Sequence, residues 1–264
     1  MGPPFFTLYE ERMTKSKVAI IILAAGLGTR MKSDKAKVLH AVCGKPMIWH
    51  VLNTAARVAG SNVVVVVGHQ AEKVKALIGD AFDAGFALQA EQLGTGHAAQ
   101  CAMPHLPDDV EEVVILCGDV PLIRAETIEH LIAEHLAHER DVTLLAVDID
   151  TPRGYGRVLR GQGGELHAIV EEADADDAQK EIKTINTGIY AAKRSFLLWA
   201  LPQIEADNTP GEFYLTDIIG IGHRQGKSMG VVMGDDDGEV IGVNSLSDLQ
   251  IAENTMKRRA GKFS

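Results

Sequence analysis

The stretch Val18–His40, VAIIILAAGLGTRMKSDKAKVLH, decides how the rest of the chain is read. Its opening apolar run, Val18 to Leu23, is short and rich in β-branched residues, which fits a strand buried on both faces of a parallel sheet better than a helix. Ala24, Ala25, Gly26 and Gly28 follow with almost no side chain. Backbone N–H groups can therefore approach a ligand closely, and a glycine turn makes a concavity for anions. Arg30, Lys32, Lys35 and Lys37 then supply countercharge. A strand that ends in a glycine turn and runs into a basic segment reads as a phosphate site.

Two common phosphate motifs are excluded by spacing. The dinucleotide fingerprint G-x-G-x-x-G needs a third glycine, and Met31 stands there. The P-loop spacing with its Gly-Lys-Ser/Thr does not occur. A tight turn with solvated lysines would show the same glycines, so the remaining chain has to decide.

The 264 residues carry 36 acidic and 26 basic side chains, a formal net charge of -10, with 46% hydrophobic and 23% charged residues. That composition is ordinary for a globular enzyme and argues against a nucleic-acid partner, whose phosphates this surface would repel. A nucleotide substrate needs only a local basic pocket. Cys43, Cys101 and Cys117 are odd in number and lack metal-ligand spacing, so no disulfide framework or zinc site is expected and a cytoplasmic location fits. No apolar run is long enough to span a bilayer. Lys15 and Lys17 before the apolar run mimic a signal peptide, but Glu10 and Glu11 spoil its basic flank, so residues 1–17 read as a flexible tail.

Downstream, the apolar spacing predicts a helix over Met47 to Val58, a strand over Asn62 to Gly68 and a helix over Ala71 to Ile78. Phe86 to Gln89 reads as a strand running into QAEQLGTGHA, where Gln89 and Gln92 carry donors and acceptors suited to a base edge and Gly94 and Gly96 admit a planar ring. A polar turn is the alternative there, and position at the carboxyl end of a strand favours the site. Glu112 to Cys117 delivers Gly118 and Asp119 to the same edge. Asp119 can cap the helix Ala125 to Glu139 or hold Mg²⁺, and the phosphate-type loops upstream favour the metal. His130, His135 and His138 are placed on that helix's wet face, without a ligand set.

After the strand Val142 to Asp148 come short pieces, GYGR at 154–157, a turn at 161–164 and Leu166 to Val170, which read as an antiparallel excursion over the sheet edge. The acidic run Glu171 to Glu181 reads as a solvated loop, and in INTGIY, 185–190, Asn186 can offer a donor and an acceptor to a hydroxyl or N-acetyl group. Helices are expected over Lys193 to Glu205 and Phe213 to Gln225, strands over Met229 to Met233 and Glu239 to Val243, a plain surface turn at Asp235 to Gly238, and a closing helix over Leu246 to Arg259. Asn244 would end the last strand. With no repeat, linker or composition break, residues 18–259 form one domain and 260–264 a tail.

LAAGLGTRM, KVLH, QAEQLGTGHA, GDVPL, GYGR, IVE, INTG, EFYLTDII and GVN occur in this order between Val18 and Arg259. Together they resemble the uridyltransferase domain of the bacterial bifunctional N-acetylglucosamine-1-phosphate uridyltransferase / glucosamine-1-phosphate acetyltransferase family. The resemblance implies an α/β nucleotide-diphospho-sugar transferase fold, a Rossmann-like, mostly parallel mixed sheet flanked by helices with a small β insertion over the sugar site. It implies transfer of UMP from UTP to N-acetylglucosamine-1-phosphate, giving pyrophosphate and UDP-N-acetylglucosamine, a cell-wall precursor. By the same resemblance Leu23, Ala24, Ala25 and Gly26 contact the nucleoside, Gln89, Gln92 and Gly94 read uracil, and Thr95 lies near base and sugar, with Cys117 and Gly118 also at the substrate. Arg30 and Lys37 hold the triphosphate, Asp119 and Asn244 bind Mg²⁺, and Gly156, Glu171 and Asn186 position the sugar ring. A cation aimed at the transition state is typically worth ~3 kcal/mol. Arg30→Ala should therefore lower turnover roughly a hundredfold and more than it weakens UTP binding, and an unchanged turnover number would remove that role.

Departures from the family pattern are Ala36 in place of a proline, Cys117 in place of an aromatic residue, and Glu172-Ala173 in place of a more basic pair. No counterpart of the family's C-terminal left-handed β-helix follows Arg259, so uridyl transfer without acetyl transfer and a monomer or weak oligomer are expected. The rivals are a nucleotidyltransferase for another sugar phosphate or base, an idle nucleotide-sugar sensor and, last, a dinucleotide-dependent oxidoreductase.

Overall fold

A computed structural model describes residues 17–28, 31, 33–79 and 81–261. Residues 1–16, which hold all of the expected tail 1–17 but Lys17, and residues 262–264 lie outside the described residues, as do Arg30 and Lys32.

The strands are β1 (Val18–Leu23), β2 (Ala41–Val42), β3 (Lys45–Pro46), β4 (Val63–Val67), β5 (Gly85–Leu88), β6 (Glu112–Cys117), β7 (Val142–Asp148), β8 (Arg157–Arg160), β9 (Leu166–Val170), β10 (Thr184–Lys193) and β11 (Met229–Met233). The helices are α1 (Met47–Ala59), α2 (Ala71–Ile78), α3 (Thr95–Ala102), α4 (Ala125–Ala137), α5 (Asp177–Lys180), α6 (Arg194–Ala200), α7 (Asp217–Arg224), α8 (Asp237–Val240) and α9 (Leu246–Gly261). The main sheet runs β11-β7-β10-β6-β1-β4-β5, with β8 on β10 and β9 on β8. β1 pairs in parallel with β4 and β6, β4 with β5, and β7 with β11.

Side chains alternate across β1, as a twofold strand period requires. Ile20 and Ile22 pack with Ile48, Leu52, Val74 and Leu131 of α1, α2 and α4. Ala19 and Ile21 face the other way, into Ala98, Ala99, Leu197 and Ile218 of α3, α6 and α7. Both faces of the sheet are covered, which is why the strands read as continuous apolar runs.

The one strand that breaks the parallel order is central. β10 is antiparallel to both β6 and β7, with Tyr190 opposite Ile115. Running backwards, it brings its own beginning to the edge where β1, β4 and β6 end, and Gly188 arrives beside Cys117. A register shift between Asn186 and Ile189 bends the strand there. The expected antiparallel excursion is the β8–β9 hairpin, attached through Arg157 opposite Ile185.

Several expectations need correction. Glu239 to Val243 is not a strand: Asp236 accepts from Gly238 N at 3.1 Å and caps α8, and Ile241 to Asn244 is loop. Glu239 belongs to α8 and is buried, accepting from Arg124 Nε and Thr127 Oγ1. The supposed plain turn is therefore a cap, and Asp236 also pairs with Arg259 of α9 at 3.0 Å. His135 is only 1% exposed, with Nδ1 2.9 Å from Thr143 Oγ1 and Nε2 3.0 Å from Glu112 Oε2. It continues the stripe Ile128, Leu131, Ile132 at the next turn, so helical spacing already put it inside, while His130 and His138 are exposed. The helix expected from Lys193 stops at Ala200, followed by a tight turn at Leu201–Gln203 that includes Pro202. The one expected from Phe213 begins only at Asp217, because Phe213 is extended and bonded to another loop. The acidic run is only partly solvated: Ala175 is buried, and Asp176 and Gln179 close a capping box on α5. The hairpin β2–β3 was not anticipated, although its tip, Cys43-Gly44 at φ 48° and 78°, is the two-residue turn that needs positive φ twice. α9 runs to Gly261, past the expected end.

No helix among the described residues is long and apolar enough to cross a membrane, and no β-helix occurs among them.

Candidate active site

The carboxyl ends of β1, β4 and β6 are stitched into one rim. Gly118 N donates to Leu23 O at 2.9 Å, Ala24 N to Val66 O at 2.9 Å and Gln89 N to Val67 O at 2.8 Å. A cavity of about 460 Å³ opens above this rim, within the range of small-molecule sites. Its lining includes Leu23, Ala24, Ala25, Gly26, Lys37, Gln89, Gln92, Gly94, Thr95, Cys117, Asp119 and Asn244. The structure thus brings together twelve residues that are scattered between positions 23 and 244 of the sequence.

Gly28 has φ 65°, and a Cβ there would lie 2.5 Å from Lys37 Cβ, so the glycine turn lies directly on the lysine stem. The basic segment is tied down from outside the cavity as well. Ala36 N donates to Gln70 Oε1 at 3.1 Å, and Gln70 Nε2 donates to Asp34 O at 2.6 Å. A proline at 36 has no N–H and could not make the first of these bonds, so this departure from the family pattern has a local use. Lys37 Nζ reaches Asn244 Oδ1 at 2.6 Å and pairs with Asp119 Oδ2.

Asn244 is 125 residues beyond Asp119 and is set beside it by backbone. Val243 N donates to Asp119 O at 2.9 Å, and Asp248 Oδ2 accepts from the amides of Asn244 and Ser245, both at 2.9 Å. Loop, rather than strand, is what lets this segment turn its polar end to Asp119. Two hard oxygen donors, one anionic and one neutral, converge on a single cation. That is the donor chemistry of a site for a small divalent ion that keeps several waters and borrows phosphate oxygens. No cluster of three or more His, Cys, Asp or Glu with metal-holding geometry occurs among the described residues.

The opposite wall is the loop after β5. Gly94 has φ 115° and ψ 175°, a conformation open essentially to glycine alone. It lies against Phe213, whose N donates to Leu93 O at 2.8 Å and whose O accepts from Gly96 N at 2.7 Å. Gln89 is buried, with Nε2 donating to Gly94 O at 2.9 Å and lying 3.2 Å from His97 Nδ1. Gln92 Nε2 donates to Gln89 O at 3.0 Å, and Thr95 Oγ1 accepts from Leu215 N at 2.9 Å. Much of the polar capacity in this motif is therefore used to shape the wall.

Gly156, Glu171 and Asn186 form a second group beside the first. Asn186 N donates to Gly156 O at 2.8 Å, and a Cβ on Gly156 would lie 3.2 Å from Glu171 Oε2. Asn186 Oδ1 accepts from Gly188 N and Tyr190 OH, both at 2.9 Å, and Glu171 Oε1 accepts from Thr216 Oγ1 at 3.2 Å. Cys117 Sγ, 3.6 Å from Gly188 O, links the two groups. Burial pushes the Cys117 thiol up to about 12, with Asp119 adding to the shift, so it is an inert wall and not a nucleophile. Burial also raises the Glu171 carboxyl above its usual range, an effect opposed by the Thr216 hydroxyl. Gly118 lies behind the rim, where a Cβ would lie 3.2 Å from Ala24 Cβ, Ile48 and Leu23 O, and is not among the cavity-lining residues.

Residues 20–184 match the model of the MobA-like NTP transferase domain. The chain is 43% identical to the bifunctional protein GlmU of Desulfotalea psychrophila over 94% of this chain and 73% of that protein. The chain belongs to the GlmU family of NTP transferases. It is also 45% identical to GlmU of Syntrophotalea carbinolica and 42% identical to GlmU of Bacillus subtilis, each match covering 53% of the relative. It thus spans about half the length of those two relatives. Two solved structures share the fold at 18% identity: a Bacillus anthracis chain described as a glucose-1-phosphate thymidylyltransferase in complex with a sucrose, and HddC from Yersinia pseudotuberculosis complexed with GMP-PN. Their TM-scores are 0.70 and 0.67, with 90% of this chain covered in both cases and 94% and 99% of theirs. The mixed α/β fold with a mostly parallel sheet, expected from the motifs, is the fold of the GlmU-like NTP transferases.

Sequence reasoning missed several residues around this GlmU-family cavity. Leu27 and Glu212 line it, His97 steadies Gln89, and Phe213 buttresses Gly94. Arg157, 1% exposed, donates to Glu172 Oε2 at 2.7 Å and to Lys180 O at 3.3 Å, pinning the acidic loop behind Glu171. The departure at Glu172 therefore gives Arg157 its partner. Only the arginine in GYGR and the acidic run hinted at this, and neither states its partner.

Below Thr216 lies a second cavity of about 360 Å³, lined by Glu205, Asp207, Asp217 and Arg224 among others. Burial, then Asp207 and Asp174, push the half-buried Asp217 carboxyl up to about 6, against the opposing Arg224. A raised folded value means the folded state prefers the protonated acid, so this contribution to stability is complete below about pH 4 and is lost as pH rises through 6. Asp217→Asn should raise the melting temperature above pH 6 by an amount worth roughly 1 kcal/mol, discounted for water contact, and the gain should vanish near pH 4. Thermal melts at both pH values check this.

Proposed function

We propose that this chain catalyses transfer of UMP from UTP to N-acetylglucosamine-1-phosphate, releasing pyrophosphate. The observation that carries the reading is the meeting of Lys37, Asp119 and Asn244 on one side of a cavity whose opposite wall is the Gly94 loop. Family membership and the order of the motifs support the substrates.

In this reading the base lies along Ala24, Ala25 and Gly26 and against Gln92 and Gly94. Open space lies where a Cβ of Gly26 would sit, so a ligand can approach that backbone. Gln89 acts chiefly by holding the loop, since its Nε2 is bonded to Gly94 O. The sugar phosphate lies toward Gly156, Glu171 and Asn186. Because Asn186 Oδ1 is committed to Gly188 and Tyr190, its NH₂ is what it can offer to an acyl oxygen.

The nucleophile is a phosphate-monoester oxygen, already anionic near neutral pH, so attack on the α-phosphorus needs no general base. The barrier is charge repulsion and alignment, the situation in which positioning and electrostatics do nearly all the catalysis. Lys37, with Arg30 as expected from the motif, lowers the charge on the triphosphate and on the departing pyrophosphate. Asp119 and Asn244 are the residues that would hold Mg²⁺, which would supply positive charge to the phosphates and to the leaving pyrophosphate.

The testing experiment is pyrophosphate release with and without Mg²⁺ from UTP, CTP, GTP or dTTP. Each nucleotide is paired with N-acetylglucosamine-1-phosphate, glucosamine-1-phosphate or glucose-1-phosphate. Release selective for UTP and the acetylated sugar is expected. Release with another pair would move the substrate assignment, and no release with any pair would end the enzymatic reading.

A further inference from the structure

We infer that the Lys37 ammonium is the internal stand-in for the divalent cation, so that Lys37 and a metal ion exclude each other at Asp119 and Asn244. The inference rests on the reading of those two residues as the metal holders and concerns how the site is filled.

Three observations carry it. Lys37 Nζ bonds the two oxygens that would hold the ion, Asp119 Oδ2 and Asn244 Oδ1. The contact is partly shielded from water, with the Lys37 and Asp119 side chains 13% and 23% exposed. The lysine stem passes so close to Gly28 that even a Cβ there would meet Lys37 Cβ at 2.5 Å, and both residues line the cavity. A divalent ion on the same oxygens would sit about 2 Å from each. An ammonium bonded to the same oxygens would then lie only a few Å from the ion, and like charges that close, shielded from bulk water, repel strongly. Both cations cannot hold the pair of oxygens at once.

Without nucleotide, the ammonium keeps Asp119 from being an unpaired, partly buried charge, which would be costly. It also opposes a metal ion arriving alone. A triphosphate in the same cavity offers Lys37 another set of anionic oxygens within reach of its stem. Once Lys37 turns to the phosphates, Asp119 and Asn244 become available to the ion. Metal and nucleotide are thereby linked: each raises the affinity for the other, by the reciprocity that any coupled pair of sites obeys.

The test is a titration of the folded chain with Mn²⁺ alone, read by loss of the free-ion signal in electron paramagnetic resonance. It is run on the parent, Lys37→Met, Lys37→Gln, Asp119→Asn and the Lys37→Met/Asp119→Asn double variant. Both neutral substitutions at 37 are expected to tighten Mn²⁺ binding at least tenfold over the parent, and Asp119→Asn is expected to abolish that gain. Gln retains a donor for Asp119, so the result stands even where Met disturbs the loop. Unchanged or weaker Mn²⁺ binding in both position-37 variants, with Asp119→Asn still removing the site, would overturn the exchange and leave the metal site intact. Mn²⁺ binding indifferent to Asp119→Asn would overturn both.

Discussion

Under the proposed function, Asp119→Asn should reduce turnover of UMP transfer by roughly a hundredfold or more, because it removes the carboxylate that would hold Mg²⁺ beside the phosphates. The substitution is nearly isosteric, so the rim built by Gly118 N on Leu23 O and Val243 N on Asp119 O, both 2.9 Å, should survive. What changes is charge. The site would lose the anion that pairs with Lys37 and that would hold Mg²⁺, and electrostatic groups aimed at a transition state are commonly worth ~3 kcal/mol. Since an amide oxygen still binds a hard cation weakly, the Mg²⁺ concentration for half-maximal rate should rise as turnover falls. Steady-state kinetics over a Mg²⁺ series, with a thermal melt to confirm the fold, measures both. Parental turnover with parental Mg²⁺ dependence would remove Asp119 from the reaction.

Gly94→Ala should be the most damaging small substitution in the cavity wall. At φ 115° and ψ 175° an alanine is strained, and its Cβ would meet Phe213 O at 2.5 Å and Phe213 N at 2.8 Å. Those two atoms make the bonds to Gly96 and Leu93, so the clash strikes backbone that cannot swing aside as a flexible side chain could. Strain alone costs about 1–3 kcal/mol. Displacing the Phe213 strap adds to it, for an expected loss of about 3 kcal/mol or more. Gln89 and Thr95 hang from the same loop, so UTP affinity should fall at least tenfold. Denaturant midpoints and equilibrium UTP binding test the two halves separately. A variant with unchanged midpoint and affinity would show that the Phe213 strap yields freely.

The two substitutions probe different layers of the site. Asp119 was legible in the sequence because chemistry requires a carboxylate near phosphates and GDVP puts one after a buried strand. Gly94 was legible as a glycine that lets a ring approach, but its steric reason is Phe213, 119 residues downstream, and no local pattern names that partner. Asn244 lies between: its motif names it, yet the strand expected to carry it is the end of α8 followed by loop, with Glu239 turned inward to Arg124 and Thr127. His135 erred the other way. Its helical spacing places it on the buried stripe, where Thr143 and Glu112 satisfy both ring nitrogens.

By itself the sequence determined the parallel α/β core, since runs such as Ile20–Ile22 and Val63–Val67 can only be satisfied with both faces covered. It also pointed to the kind of chemistry, because the glycine turn and its lysines are followed by a glutamine–glycine loop and then a carboxylate, each after a later strand. Tertiary structure alone decided that β10 runs against its neighbours, so that Gly188 meets Cys117 at the rim. It alone decided that Arg157 is buried under the acidic loop and that Lys37 rests on Asp119 and Asn244. Local propensity and periodicity record which face of an element is apolar. The pairing of polar side chains far apart in the chain depends on strand direction and loop path, which are set only when the whole core has packed.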